Sequence, residues 1–158
     1  MSPDAPAHPG VRFPPPFLYL LPFLGGLALH HWWPIDALRV APEVLRISGI
    51  LLGITALTLM FSALATFVRN RTSIAPIRPA STLVRTGPYR LTRNPMYLGL
   101  AILYCSLAVL LDRAWPLLFL PLSVLLIDRL VIIREERYLG RAFGDDYERY
   151  RREVRRWL

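Results

Sequence analysis

Four apolar runs divide the chain, and the polar segments between them are unequal in length and charge. The runs cover about 17–33, 44–68, 96–111 and 114–133. A helix rises about 1.5 Å per residue and bilayer hydrocarbon is about 30 Å thick, so a span needs about 20 apolar residues. The third run, with sixteen residues, is short for a span and must borrow length from its ends or lie where the bilayer thins. The pattern predicts an all-α fold: a polytopic membrane helix bundle of about four transmembrane helices. It forms one domain over 17–158, preceded by a Pro-rich flexible leader over 1–16. The leader has no basic segment followed by an apolar core, so it does not read as a cleaved signal peptide.

Small and ring-bearing residues mark the runs further. Pro22 and Gly25-Gly26 are bending points in the first helix. His30, His31, Trp32 and Trp33 close it as an interfacial belt. Gly49 and Gly53, followed by Ala56, are spaced to let two helix backbones approach closely. They serve an internal helix pair or a dimer equally well, and leave the oligomeric state open.

Composition agrees with a membrane protein: 54% of residues are hydrophobic, and the mean hydropathy is +0.37. The net charge of +8 comes from Arg alone, since the chain has no Lys. Such a balance would suit nucleic acid, but here the Arg residues cluster beside apolar helices. The loop over 69–95 holds six of them and no acid, and the tail over 134–158 mixes eight with six acids. The connections over 34–43 and 112–113 are short. Four spans put the leader, the long loop and the tail on the Arg-rich side, which the positive-inside rule makes cytoplasmic. An integral membrane protein with both termini in the cytoplasm is therefore expected, with no nucleic-acid partner.

The single Cys105 lies inside an apolar run, which leaves no disulfide framework, and three His residues give a metal site little support. Tyr147, Tyr150, Val154, Trp157 and Leu158 share one helical face, predicting an amphipathic C-terminal helix on the membrane surface. Covering a pocket with part of that face is the alternative use of it.

Ionisable groups at the end of the fourth run are the unusual feature. Asp128 and Arg129 lie within it, where a charge costs at least about 2.5 kcal/mol at mid-bilayer. Helical spacing puts Asp128 and Glu135 on one stripe, with Glu136 beginning the next. A half-buried polar pocket beside the basic loop explains this column. So does a structural ion pair of Asp128 with Arg113 or Arg129.

The stretch Gly87-Pro-Tyr-Arg-Leu-Thr-Arg-Asn-Pro-Met-Tyr-Leu-Gly99 resembles the Gly-x-Tyr-x-x-x-Arg-His-Pro-x-Tyr-x-Gly signature of the isoprenylcysteine carboxyl methyltransferases. That family is related to the phospholipid N-methyltransferases. The tail, from Arg134-Glu-Glu through Phe143-Gly, Tyr147, Tyr150 and Val154, resembles the family's second block, and the likeness covers roughly 74–157. It implies S-adenosyl-L-methionine (SAM) held at the cytosolic helix ends, a lipophilic small-molecule or lipid acceptor, and a bacterial inner-membrane setting. Carried over position by position, the cofactor contacts fall on Ser81, Thr82, Leu83, Val84, Tyr89, Asn94, Pro95, Met96, Tyr97 and Glu135. Arg93 matches the family's Arg, and Val131 a position facing the acceptor. The family's usual His is Asn94 here, and an amide does not shuttle protons near neutral pH.

The chemistry of the residues is compatible with that assignment. Glu135 can pair with the ammonium of SAM, and Tyr89 and Tyr97 offer ring faces to adenine or sulfonium. Arg93 can orient an acceptor carboxylate bidentately. An amine acceptor would need a base, for which Glu136 or Asp128 is nearest. Sterol-type NADPH-dependent membrane reductases share an Asn-Pro-x-Tyr-x-Gly pattern, but usually follow it with Glu, where this chain has Leu100. A membrane protein keeping the fold without the chemistry would not need Tyr89, Arg93, Tyr97 and Glu135 together.

Overall fold

A computed structural model describes residue 10 and residues 14–35, 40–70 and 82–158 of the chain. Among them every regular element is helical: α1 (Pro15–Trp32), α2 (Pro42–Arg69), α3 (Pro95–Leu110), α4 (Ala114–Ile127), α5 (Ile133–Phe143) and α6 (Asp145–Glu153). A 3₁₀ turn at Gly87–Arg90 precedes α3, and a π-turn at Asp128–Ile132 joins α4 to α5. The first three apolar runs are helices within about two residues of their expected bounds, and the fourth continues past 133 as a helical stretch to Phe143. Pro15, Pro42 and Pro95 start α1, α2 and α3, as suits a residue with φ preset and no N–H to satisfy. The leader over 1–16 falls largely outside the described residues.

Two helices, Pro42–Arg69 and the continuous stretch Ala114–Phe143, are long and apolar enough to cross a membrane. In α2, Ile47, Ile50, Leu51, Ile54, Leu57 and Phe61 all point outward, and only 17% of its most apolar window is buried. A helix in a water-soluble core would hide these side chains, so lipid is the solvent that suits them. α3 is apolar but shorter.

The chain forms two compact units. One comprises Pro14–Thr58 and Tyr97–Ile127, and the other Met1–Phe13, Leu59–Met96 and Asp128–Leu158. In the first, the small residues of α2 do what their spacing predicts. The Gly49 carbonyl accepts from Ser106 Oγ at 2.7 Å, and a Cβ on Gly49 would stand 2.6 Å from the Leu110 side chain. Gly49 and Gly53 thus serve an internal contact with α3. α1 lies against α4, where a Cβ on Gly26 would stand 2.7 Å from the Pro116 nitrogen. The Tyr104 hydroxyl donates to the Pro116 carbonyl at 2.7 Å, and the Trp115 indole to the Trp33 carbonyl at 2.6 Å. Arg113, a candidate partner for Asp128, instead meets His30 Nε2 at 2.8 Å.

The two neighbouring glycines of α1 make a controlled comparison. Gly25→Ala meets open space and is expected to leave the melting temperature in detergent unchanged or slightly higher. Gly26→Ala drives a methyl into backbone that cannot swing aside, and should cost about 1–3 kcal/mol. Equal melting of the two variants would contradict the α1–α4 contact.

Candidate functional site

The polar site belongs to the unit built from the end of α2, the loop before α3, and everything after Ile127. Its loop is shaped by Gly87, whose φ of +60° suits glycine and whose α-carbon faces Thr66 so closely that a Cβ would lie 2.7 Å from that hydroxyl. The turn it makes swings Tyr89 inward, where the ring packs edge-on against Phe67 at 5.3 Å. Val84, Tyr89 and Ala63 form a small buried core flanked by Phe67 and Met96. Thr92 and Asn94 follow, both buried, and Pro95 then starts α3.

The C-terminal segment closes over this loop. α6 buries Tyr147 and Tyr150, and the Tyr150 hydroxyl donates to the Tyr89 carbonyl at 2.7 Å. The Tyr147–Tyr150 part of the tail's apolar face therefore covers protein, while Leu158 at its end is exposed. Its helix also stops earlier than the periodicity predicts: Val154 is extended (φ −121°, ψ 131°). The reason lies in the loop, which recruits the carbonyls that follow. Arg93 N donates to the Arg155 carbonyl at 3.0 Å, and Thr92 Oγ1 and Asn94 Nδ2 reach the Arg156 carbonyl at 3.0 and 2.9 Å. The Arg155 and Arg156 carbonyls, which a helix ending here would leave without intrahelical donors, thus find donors in the loop. Asn94 Nδ2, expected to meet the cofactor, thus holds the tail.

At the centre are two carboxylates and two guanidiniums. Arg93 Nη1 lies 3.1 Å from Glu136 Oε1 and 3.4 Å from the Tyr147 hydroxyl. Arg156 grips Glu136 through Nε to Oε1 (3.1 Å) and Nη2 to Oε2 (2.6 Å). Its Nη1 also reaches both oxygens of Asp128, at 3.1 and 3.2 Å. The side chains of Arg93 and Glu136 are only 10% and 11% exposed. Two positive and two negative charges meet, so the buried cluster is balanced, as burial of charge demands.

The pairing of Asp128 corrects both partners expected for it: Arg113 is taken by His30, and Arg129 is exposed. It also corrects the stripe. Seven residues of α-helix would align Asp128 with Glu135. The π-turn closes its hydrogen-bonded ring one residue later than an α-turn and so takes up one extra residue. The face slips by that residue, and Asp128 comes into line with Glu136 on the same guanidinium. The Glu135 charge acts on the phenol of Tyr89. Burial foremost, then Tyr150 and Glu135, hold that phenol well above its ordinary range.

The other named positions distribute as follows. Val131 is fully buried in the π-turn. Thr82 is exposed, Leu83 half-buried and Val84 buried, while Ser81 lies outside the described residues. Tyr97 belongs to the other unit, where its carbonyl accepts from the Tyr19 hydroxyl at 3.0 Å. Arg156 was missed by sequence reasoning, although three acids so near the bilayer did call for a second cation.

Burial, then the Glu136 carboxylate, push the Tyr147 phenol up to about 12, with Arg93 opposing them. A folded-state value above the unfolded 10 stabilises the protein fully below pH 10, and that share is lost as pH rises from 10 through 12. Tyr147→Phe should therefore flatten part of the decline in unfolding midpoint between pH 10 and 12. An unchanged slope would mean that the hydroxyl ionises freely in the fold.

An all-α protein with membrane-length helices and a buried Arg–carboxylate cluster at one helix end defines the class. A family model described as phospholipid methyltransferase matches residues 44–146. The chain belongs to that family of membrane methyltransferases. It is also similar to an uncharacterized protein of Haemophilus influenzae, 40% identical over 63 residues, which are 40% of this chain and 100% of the relative. No solved structure matches it.

Proposed function

We propose that this protein is an integral-membrane, SAM-dependent methyltransferase that acts on a lipophilic acceptor, with carboxylate O-methylation favoured over N-methylation. One observation carries the reading. Arg93 is nine-tenths buried, its Nη1 is held by Glu136, and its Nε is buried with no hydrogen-bond partner. A buried donor left unpaired costs about 1–3 kcal/mol, which an oxygen-bearing ligand offsets. A guanidinium anchored on one edge and open at another is suited to hold a carboxylate.

The residues present fit the cofactor. Tyr89 and Glu135 lie within electrostatic reach of each other, a ring and an anion for the base and the ammonium. Thr82, Leu83, Val84, Asn94, Pro95 and Met96 line the chain on either side of Tyr89, and Ser81 extends the set by resemblance. When bound, SAM supplies an electrophilic methyl group. The chain's own task is then to hold the acceptor oxygen in line, which is worth several powers of ten in rate. Arg93 does this and Glu136 fixes Arg93, while the resemblance assigns Val131, buried in the π-turn, to the side of the acceptor's apolar part. Both Glu136 oxygens are occupied by guanidinium donors. A carboxylate acceptor asks for no base, so this occupancy suits it better than an amine. The family's phospholipid members favour the amine as the second reading.

The same reading places all four apolar helices across the membrane, with the Arg-rich loop, the tail and both termini in the cytoplasm. The acceptor then enters from lipid, where its apolar part is already dissolved.

The test uses full-length protein in vesicles with methyl-labelled SAM, offered separately a long-chain carboxylic acid and phosphatidylethanolamine. Label that enters the acid and is released by mild alkali is the expected result. Alkali-stable label on the amine would move the assignment to N-methylation, and no label on either would refute it.

A further inference from the structure

We propose that the segment Val154–Leu158 is a latch and that Arg156 is the positioning residue of the site. The proposal rests on the methyltransferase reading above and adds to it a residue beyond the family match at 44–146.

Two halves of Arg156 do separate work. Its backbone carbonyl accepts from Thr92 and Asn94, which fastens the segment to the loop. Its guanidinium spans Glu136 and Asp128 with four contacts of 2.6–3.2 Å. Glu136 is thereby gripped on both oxygens, and Oε1 is presented to Arg93. A carboxylate bound on one side only by Arg93 would be free to rotate, taking Arg93 with it. The π-turn contributes by bringing Asp128 into register, so that one planar fork serves two acids. Arg156 itself is a third exposed, so it acts through Glu136 and Arg93 rather than on the acceptor.

Because the carbonyl contacts do not involve the side chain, substituting the side chain separates positioning from docking. The experiment compares wild type, Arg156→Lys, Arg156→Gln and Asp128→Asn as full-length chains in detergent and in vesicles. Melting temperature is read first, then kcat and KM for SAM with the labelled long-chain acid. Arg156→Gln should lower kcat about 10²-fold and leave KM for SAM within about 2-fold, since Tyr89 and Glu135 are untouched. Arg156→Lys should recover part of the rate, and Asp128→Asn should lose less than Arg156→Gln. Wild-type kcat in Arg156→Gln overturns the latch. So does a loss shared equally by Lys and Gln that tracks the melting temperature, because that pattern is structural only. A wild type that neither binds SAM nor transfers label would instead bring down the underlying reading, and the latch with it.

Discussion

Arg93→Ala should stop methyl transfer while the chain stays folded. Removing the guanidinium takes away the buried Nε donor, and with it the group that orients the acceptor. Loss of one preorganised charge contact at a reacting centre costs about 10²–10³ in rate. The fold should survive because Glu136 keeps Arg156 on both oxygens, at 2.6 and 3.1 Å. The backbone bond from residue 93 to the Arg155 carbonyl is also independent of the side chain. Arg93→Lys preserves the charge but not the planar fork, so it should remain impaired. Labelled-methyl transfer read beside thermal unfolding checks both halves; full activity in the Ala variant would remove Arg93 from the mechanism.

Glu136→Gln should be the most destabilising single change in the site. It leaves the nine-tenths-buried Arg93 without its anion and hands Arg156 to Asp128 alone. Breaking a buried pair from one side costs about 3–5 kcal/mol, chiefly because the other charge stays behind. Asp128→Asn should cost much less. Its partner Arg156 is 34% exposed, and solvent screens that contact. Equal melting of these two variants would mean that the cluster is wetter than its burial implies.

The helices were readable because lipid imposes a simple rule: every apolar run of sufficient length must satisfy its own backbone. Gly49 and Gly53 announced a close contact, and Leu110 and Ser106 supply it. The Gly87–Gly99 stretch and the tail pointed to the family correctly. What periodicity hid was the π-turn, since a 3.6-residue repeat assigns Asp128 to Glu135 and the structure pairs it with Glu136 through Arg156. Arg156 was invisible for a related reason. It lies 20 residues from Glu136 and 28 from Asp128, beyond any spacing argument within one helix. The end of α6 at Glu153 is likewise a tertiary matter: Thr92, Arg93 and Asn94 supply donors to the carbonyls of the extended segment that follows, contacts no periodicity reveals.

The central claim is that the loop before α3 and the acidic end of α5 form a SAM site, and a ligand titration tests it most directly. Purified full-length protein is melted in detergent with increasing SAM and, separately, with increasing NADPH. A ligand that binds only the folded state raises stability by about 2.7 kcal/mol at a hundred times its Kd. The account predicts a saturable rise in melting temperature with SAM, abolished by Glu135→Ala, and none with NADPH. Stabilisation by NADPH instead, or a melting temperature indifferent to millimolar SAM, would contradict it.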